Sequence, residues 1–216
     1  MYAAIGLADA GHTVTIYEKN EKLGKKLFIT GKGRCNLTNN CEVEELMKHV
    51  VTNPKFLYSA FYQCNAQDVM QFFEQNGLKL KTERGNRVFP ASDHSSDVIK
   101  ILEQALKKRK VTICLYHTVT KILTEQVQNQ MRAAGVSVKD ADGHQKLEYF
   151  DAMVVATGGL SYERTGSTGD GLQFARDLGL QVTECLPSLV PFEIEEDFCR
   201  ELMGLSLRNV TLSCYT

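Results

Sequence analysis

The sequence has no surplus of charge of either sign, no Cys-x-x-Cys pair, no two histidines at metal-ligand spacing and no apolar run of bilayer length. Each absence excludes a class of function. With 25 Lys and Arg against 26 Asp and Glu in 216 residues, the net charge is -1. Nucleic-acid binders usually carry a basic patch or stripe, so no nucleic-acid partner is expected. The one dense basic cluster, Lys107-Lys108-Arg109-Lys110, reads as a solvated helix end favoured by the helix dipole. Seven cysteines (Cys35, Cys41, Cys64, Cys114, Cys185, Cys199, Cys214) are scattered and odd in number. That pattern argues for reduced thiols in the cytoplasm rather than a disulfide framework or a zinc site. Scattered histidines give no metal centre. No segment is long and apolar enough for a membrane span, and no basic-then-apolar leader opens the chain. Apolar residues at 43% and charged residues at 24% are those of an ordinary soluble globular protein.

A further absence is the most informative. The first residues, Met1 to Ala10, read as a helix with Ala3, Ala4, Leu7 and Ala8 on one face, and Gly11 is its stop. An alternating strand follows, Thr13-Val14-Thr15-Ile16-Tyr17, and then one acid, Glu18. Helix, Gly-His, strand, acid is the second half of a βαβ unit. Its first half, a strand and a Gly-x-Gly-x-x-Gly turn, occurs nowhere in the sequence, and the expectation is a chain truncated at its amino end. In an open parallel sheet, ligands sit beyond the carboxyl ends of strands, and an acid there holds ribose hydroxyls in dinucleotide folds. Glu18 is either that acid or the start of a solvated, lysine-rich loop.

Past Glu18 the chain offers Lys25, Lys26, a glycine-basic turn (Gly31-Lys32-Gly33-Arg34) and Cys35-Asn36. Helices are expected at Glu42 to Val51, from Pro54 with Phe56, Leu57, Ala60 and Phe61 on one side, and from Asn65, a cap, to Gly77, a stop. Leu78 to Thr82 reads as a strand and Val88-Phe89-Pro90 as extended. Ser95 or Ser96 caps the clearest helix, with Val98, Ile101, Leu102, Ala105 and Leu106 at helical spacing. Val111 to Leu115 and Thr118 to Leu123 read as strands, followed by a hairpin turning at Asp142-Gly143. Asp151 to Ala156 is the most hydrophobic strand candidate and runs into Thr157-Gly158-Gly159. Two glycines there either let backbone approach a ligand or make a tight turn. Thr165 to Gly171 is a second flexible segment, feeding a helix at Leu172 to Leu178. Beyond Leu186 the runs Leu205-Ser206-Leu207 and Asn209 to Tyr215 are β-patterned.

Glu18, GKKLFITGKGRCNLTN (Gly24 to Asn39), VFP (Val88 to Pro90) and ATGGLSYERTGSTGDG (Ala156 to Gly171) occur in this order. Together they resemble the bacterial conserved flavoproteins described as NAD(P)/FAD-dependent oxidoreductases, with aminoacetone-oxidase-like and 3-dehydro-bile-acid-reductase-like members. The resemblance covers essentially the whole chain. It implies an α/β fold: an incomplete Rossmann-like FAD-binding domain over residues 1–185, and over 186–216 the beginning of an inserted β-rich substrate domain. Glu18 would bind the adenosine ribose. Lys25, Lys26 and Gly31 would lie along the FAD. The Gly31 to Asn36 turn, with Arg34, Cys35 and Asn36, would sit on its flavin side. Val119 would touch the adenine through its backbone, and Thr157, Gly158 and Gly159 would pass close to the cofactor. In such an enzyme the cofactor carries the chemistry, so no catalytic side chain is assigned. Arg34 is either a partner of an anion or half of a surface ion pair, and Cys35 either a redox thiol or a small buried hydrophobe. Tyr162 and Arg164 are candidates to line a substrate cleft.

The implied activity is hydride transfer to a conjugated carbonyl compound or from a small amine, with NAD(P)H as electron donor and a small molecule as substrate. The family turn is commonly Gly-Gly-Gly-Arg-Cys-Asn, whereas this chain has Lys32 in the middle. The pyrophosphate turn and a later glycine-rich segment are missing, so the chain is expected to be cut at both ends. The alternative is a non-catalytic fragment that does not retain FAD. A third reading is a flavin-linked RNA-modifying protein, against which the near-neutral charge counts.

Overall fold

Apolar spacing sets the order in which helices and strands alternate. A computed structural model of the chain describes residues 1–187, 195–207, 210, 211 and 213. Helix α1 (Tyr2–Asp9) leads through Gly11, at φ +89, into strand β1 (Thr15–Glu18). Helix α1 buries Ala4 and Ile5, while Ala3 and Leu7 face solvent. The apolar face is therefore rotated from the expected one, because Ile5 outweighs Ala3 in the area it removes from water.

Helix α2 (Lys25–Gly33) loses helical geometry at Thr30, Gly31 and Lys32. Short strand β2 (Thr38–Asn39) and helix α3 (Val43–Lys48) follow. Pro54–Leu57 is a 3-10 turn leading into α4 (Tyr58–Gln63). Phe56 and Ala60 are exposed there, so the expected apolar side is not buried. Helix α5 (Ala66–Gln75) starts at a reciprocal capping box, Asn65 Oδ1 accepting from Asp68 N and Asp68 Oδ2 from Asn65 N.

Strands β3 (Leu80–Glu83) and β4 (Arg87–Pro90) precede the long helix α6 (Ser95–Lys108). The cap of α6 is His94, without a side-chain bond, rather than a serine. Ser95 is buried, and its hydroxyl donates instead to the Phe28 carbonyl at 2.8 Å, tying α6 to α2. Strand β5 (Thr112–Leu115) then runs parallel to β1. A parallel pair requires a crossover, and the segment ending in α6 supplies it.

Strands β6 (Thr118–Val127), β7 (Gln130–Lys139) and β8 (Gln145–Tyr149) form an antiparallel meander. Gln128 and Asn129, both at positive φ, make the first turn. At the second, Asp140 Oδ1 accepts from the Asp142 and His144 amides. A third sheet has the order β2-β4-β3, antiparallel throughout. Helix α7 (Asp170–Asp177) closes the first of two units, Met1–Leu180 and Gln181–Thr216.

The Asp151 to Ala156 run forms no strand among the described residues, and Val154 and Val155 are 63% and 49% exposed. Hydrophobicity marks a segment that prefers neighbours on both faces. The two-stranded β1-β5 sheet gives this one no ladder partner. In the second unit the described residues hold helix α8 (Phe198–Glu201) and no strand. Leu205 to Leu207 is unpaired there, and the Asn209 to Tyr215 run lies mostly outside the described residues. No described helix is long and apolar enough to cross a membrane.

The core of the first unit centres on α6, with Val98, Leu102 and Leu106 packed with Ile5 of α1, Leu23 and Phe73. Leu106→Ala is expected to destabilise the chain by about 2–5 kcal/mol, and Asn65→Ala by about 1 kcal/mol. Urea unfolding followed by circular dichroism reads both.

Candidate functional site

Strands β1 and β5 end together, with Glu18 opposite Leu115 in the last rung. The turns beyond them are bonded to each other. Tyr116 N–H donates to Asn20 O at 3.1 Å, and His117 N–H to Glu18 O at 3.0 Å. Val119 follows two residues later, opposite Val138, where a register shift between Val119 and Lys121 interrupts the β6-β7 ladder.

The half-buried Glu18 carboxylate is steered by Asn20. Its Oε1 accepts from Asn20 N at 2.8 Å and from Asn20 Nδ2 at 2.7 Å. No group among the described residues bonds to Oε2. Asn20 Nδ2 also donates to Thr165 O at 3.1 Å, tying the acid to the second glycine-rich segment.

That segment is held from both sides. Lys19 Nζ donates to Thr168 Oγ1 at 2.5 Å and to Asp170 Oδ2 at 2.7 Å. Lys26 Nζ donates to Ser161 O and, at 3.1 Å, to Ser167 Oγ. Gly171 N–H donates to Thr157 Oγ1 at 3.0 Å, and Gly169 N–H to Gly159 O at 3.1 Å. Gly158, at φ +76, has room for no side chain, since a Cβ would stand 2.8 Å from Ser167 Oγ. Glu18, Lys26, Thr157, Gly158 and Gly159 are thus gathered on one rim. Lys25 is turned elsewhere, paired with Glu21 at 3.1 Å. Burial pushes the Asp170 carboxyl up, but the Lys19 ammonium and the Thr168 hydroxyl outweigh it and hold the group below the usual carboxylate range.

The Gly31 to Asn36 turn is a second cluster, at the far end of α2. Gly31, Lys32, Gly33 and Cys35 all have positive φ. Lys32 and Cys35 carry a Cβ in that region, at a cost of about 1–2 kcal/mol each. A Cβ on Gly31 would meet Asn36 N at 2.7 Å, so the turn closes tightly on itself. Arg34 locks it to the neighbouring sheet. Its guanidinium grips both oxygens of Glu83, at 2.9 and 3.3 Å, and Asp93 at 3.1 Å. It lies 4.0 Å from the Phe89 ring centre. Arg34 holds the Glu83 carboxyl below its ordinary value, and Lys81 with Arg34 does the same for Asp93. Cys35, 2% exposed, has its thiol pushed up by burial, partly offset by a hydrogen bond with Thr30.

Sequence reasoning missed Lys19, Asn20 and Ser167. An asparagine just after a strand-end acid is a turn signal. Spacing alone gives no sign that it meets residue 165.

Three comparisons bear on this geometry. Residues 1–212 match the family model of the HI0933-like protein Rossmann domain. The chain is 32% identical over 196 residues to a 3-dehydro-bile acid delta(4,6)-reductase of Clostridium scindens, an alignment covering 90% of this chain and 45% of that protein. It is 29% identical over 218 aligned positions to a ribosomal RNA dihydrouridine synthase of Haemophilus influenzae, covering 99% of this chain and 52% of that protein. The chain therefore spans about half the length of the curated relatives it matches. A solved 3-ketosteroid delta1-dehydrogenase from Sterolibacterium denitrificans, in complex with 1,4-androstadiene-3,17-dione, is similar with a TM-score of 0.60 at 15% identity, over 82% of this chain and 52% of that one. That last likeness is one of fold.

Two outcomes follow from the ties described. The folded pKa of Asp170 lies below its unfolded value, so the Lys19–Asp170 tie stabilises above the unfolded value and is lost as pH falls through the folded one. Pepsin cleavage within 161–170 should therefore rise as pH drops from about 4 to 2, before α6 opens. Arg34→Ala should release the Gly31 to Asn36 turn and raise the alkylation rate of Cys35 about ten-fold or more, read by mass spectrometry against Cys64, which is already exposed.

Proposed function

The chain belongs to the HI0933-like Rossmann-domain family, and from that membership we infer that it is the FAD-binding part of an oxidoreductase that saturates a carbon–carbon double bond conjugated to a carbonyl. The observation that carries this is Glu18. It stands at the carboxyl end of a parallel strand with no hydrogen bond to Oε2 among the described residues, its charge acting on the Met1 amino group. It shares its rim with Thr157, Gly158 and Gly159 through Asn20 and Thr165. An acid in that place accepts from ribose hydroxyls.

The residues present fit the cofactor. Gly33 and Gly159 have nothing within 4 Å of where a Cβ would stand, so bare backbone borders open space at both clusters. The Asn36 N–H has no acceptor among the described residues and offers a donor beside the turn. Bound FAD would supply the hydride chemistry that side chains lack, with NAD(P)H as the reductant. The chain's own part is placement. Asn20 fixes the rotamer of Glu18. Lys19 and Lys26 hold the 161–170 segment against the rim. Arg34, through Glu83 and Asp93, keeps the Gly31 to Asn36 backbone in its strained form. None of these three cations is left over to neutralise a phosphate without surrendering a protein partner.

The names of the relatives support the reaction class. A 3-dehydro bile acid with delta(4,6) unsaturation and a uridine that becomes dihydrouridine both contain a double bond conjugated to a carbonyl. Such a substrate gains a hydride at the carbon β to the carbonyl and a proton at the α carbon.

FAD fluorescence quenching on the purified chain tests the cofactor. The wild-type chain should bind FAD, and Glu18→Gln should weaken binding about 10- to 100-fold, the worth of charge-assisted bonds to hydroxyls. Equal affinity in the two proteins, or a chain that takes up no FAD, sinks the assignment. Turnover of a panel of enones, a uridine oligonucleotide and primary amines with NADPH reads the reaction class, and activity on amines alone would exclude enone reduction.

A further inference from the structure

Beside the start of α2 lies a groove of about 540 Å³ that shares Thr165 with the Glu18 rim but is lined by neither Glu18 nor the double glycine. Lys22, Lys25, Phe28 and Ile29 form one wall and the Tyr162 to Thr165 turn the other. Lys22 precedes the helix, in the turn that runs to its cap Gly24, while Lys25 and Ile29 lie one turn apart on α2. The next residue, Lys26, bonds Ser161 and Ser167 and stands 5.3 Å from the Tyr162 ring centre. Phe28 and Ile29 are left in water, Phe28 at 49% exposure. Tyr162 is 71% exposed and sits at φ 55, ψ 59, a left-handed conformation that a tyrosine rarely adopts. The Thr165 N–H and hydroxyl both donate to the Tyr162 carbonyl, at 2.9 and 2.7 Å, so the strained turn is fixed. The ring stays largely exposed, with the Lys26 ammonium over it.

The charges point the same way. Lys22 has its ammonium 5.4 Å from the Phe28 ring and no salt bridge among the described residues, though its charge acts on the neighbouring Glu21. Arg164 likewise has no ion-pair partner among the described residues. Glu163 is the one acid on the walls, and with Lys25 already paired to Glu21 the wall cations without an ion pair among the described residues are Lys22 and Arg164. Two displayed aromatic rings flanked by unpaired cations suit a ligand with a flat ring face and an attached anion. The net charge of the whole chain does not bear on this, because screening makes the local field decide beyond about a Debye length.

We propose that this groove holds an anionic substrate with a flat ring, the ring against Tyr162 and Phe28 and its carboxylate or phosphate, remote from the reacting carbons, drawn by Lys22 and Arg164. This rests on the reaction class inferred above, since conjugated carbonyl rings are flat, and it adds the requirement for an anion. Contacts to a remote group are a source of binding energy that can be used at the reacting centre. The anion has two sources in the relatives' chemistry, the side-chain carboxylate of a steroid acid and the phosphodiester of a nucleotide.

The test is equilibrium binding to the full chain of two probes: a 3-oxo-4-ene steroid with a side-chain carboxylate, and a fluorescein-labelled single-stranded uridine octamer. The matching steroid alcohol is the uncharged control. One or both anions should bind, the alcohol at least ten-fold more weakly. The Lys22→Gln/Arg164→Gln double variant should lose about ten-fold or more, and Tyr162→Ala a similar factor from lost stacking. FAD affinity and the thermal transition should stay as in wild type. Binding of the wild-type chain should also weaken as salt rises from about 50 to 300 mM, a readout that needs no variant. Steroid acid without octamer, or the reverse, identifies the source. Failure of both anions, equal binding of the alcohol, or unchanged affinity in the double variant overturns the proposal. Parallel loss of FAD in the double variant also overturns it, by making the groove part of the cofactor rim. If anions bind as stated and FAD does not, the groove stands and the cofactor reading falls alone.

Discussion

One side chain joins the three pieces of the carboxyl edge. Asn20 receives the turn after β5 on its carbonyl, clamps Glu18 through its backbone and side-chain nitrogens, and reaches Thr165 across the rim. Its amide is bifurcated between an acid and a carbonyl, a pattern a carboxamide satisfies and a carboxylate does not. The parallel pairing of β1 with β5 brings the strand ends level. Asn20 converts that level edge into a surface with a directed acid and a closed second wall. The lysines on either side act on the same wall, so the edge is cross-braced by charge and by amide.

The second constraint is backbone strain. Four positive-φ residues crowd into Gly31 to Cys35, and two of them are not glycine. Such conformations persist where the surroundings over-determine them. Here the surroundings are the Arg34 fork on Glu83 and Asp93, the Phe89 ring beneath it, and the buried Cys35 side chain. The pairs are partly exposed and individually weak. Their value is geometric, since one guanidinium meets two carboxylates and a ring at once.

Much of this was legible in the sequence. The helix, glycine, strand and acid of residues 1–18, the Asn65 cap, the β7-β8 hairpin and the strand at 111–115 follow from period, caps and turn chemistry, whereas the parallel pairing of β1 with β5 does not. Glu18 was legible as an acid at a strand end, a recurring ligand device, whereas the double glycine follows no strand. The failures have one physical origin. Period and propensity describe what a segment prefers, whereas the outcome depends on which neighbours are present. Asp151 to Ala156 reads as a buried strand and lies unpaired. Ser95 reads as a cap and spends its hydroxyl on Phe28. Lys19, Asn20 and Ser167 escape notice because their partners lie some 140 to 150 residues away.

That separation has a consequence for biosynthesis. Lys19 leaves the ribosome long before Asp170, 151 positions later, has been added. At elongation rates of about 5–20 residues per second, the delay is roughly 8–30 s. During that interval β1 can dock and α6 can pack, because their contacts lie upstream, while the acid edge faces solvent without its far wall. Nascent chains stalled short of residue 170 would therefore be folded in the centre and unfinished at the acid edge.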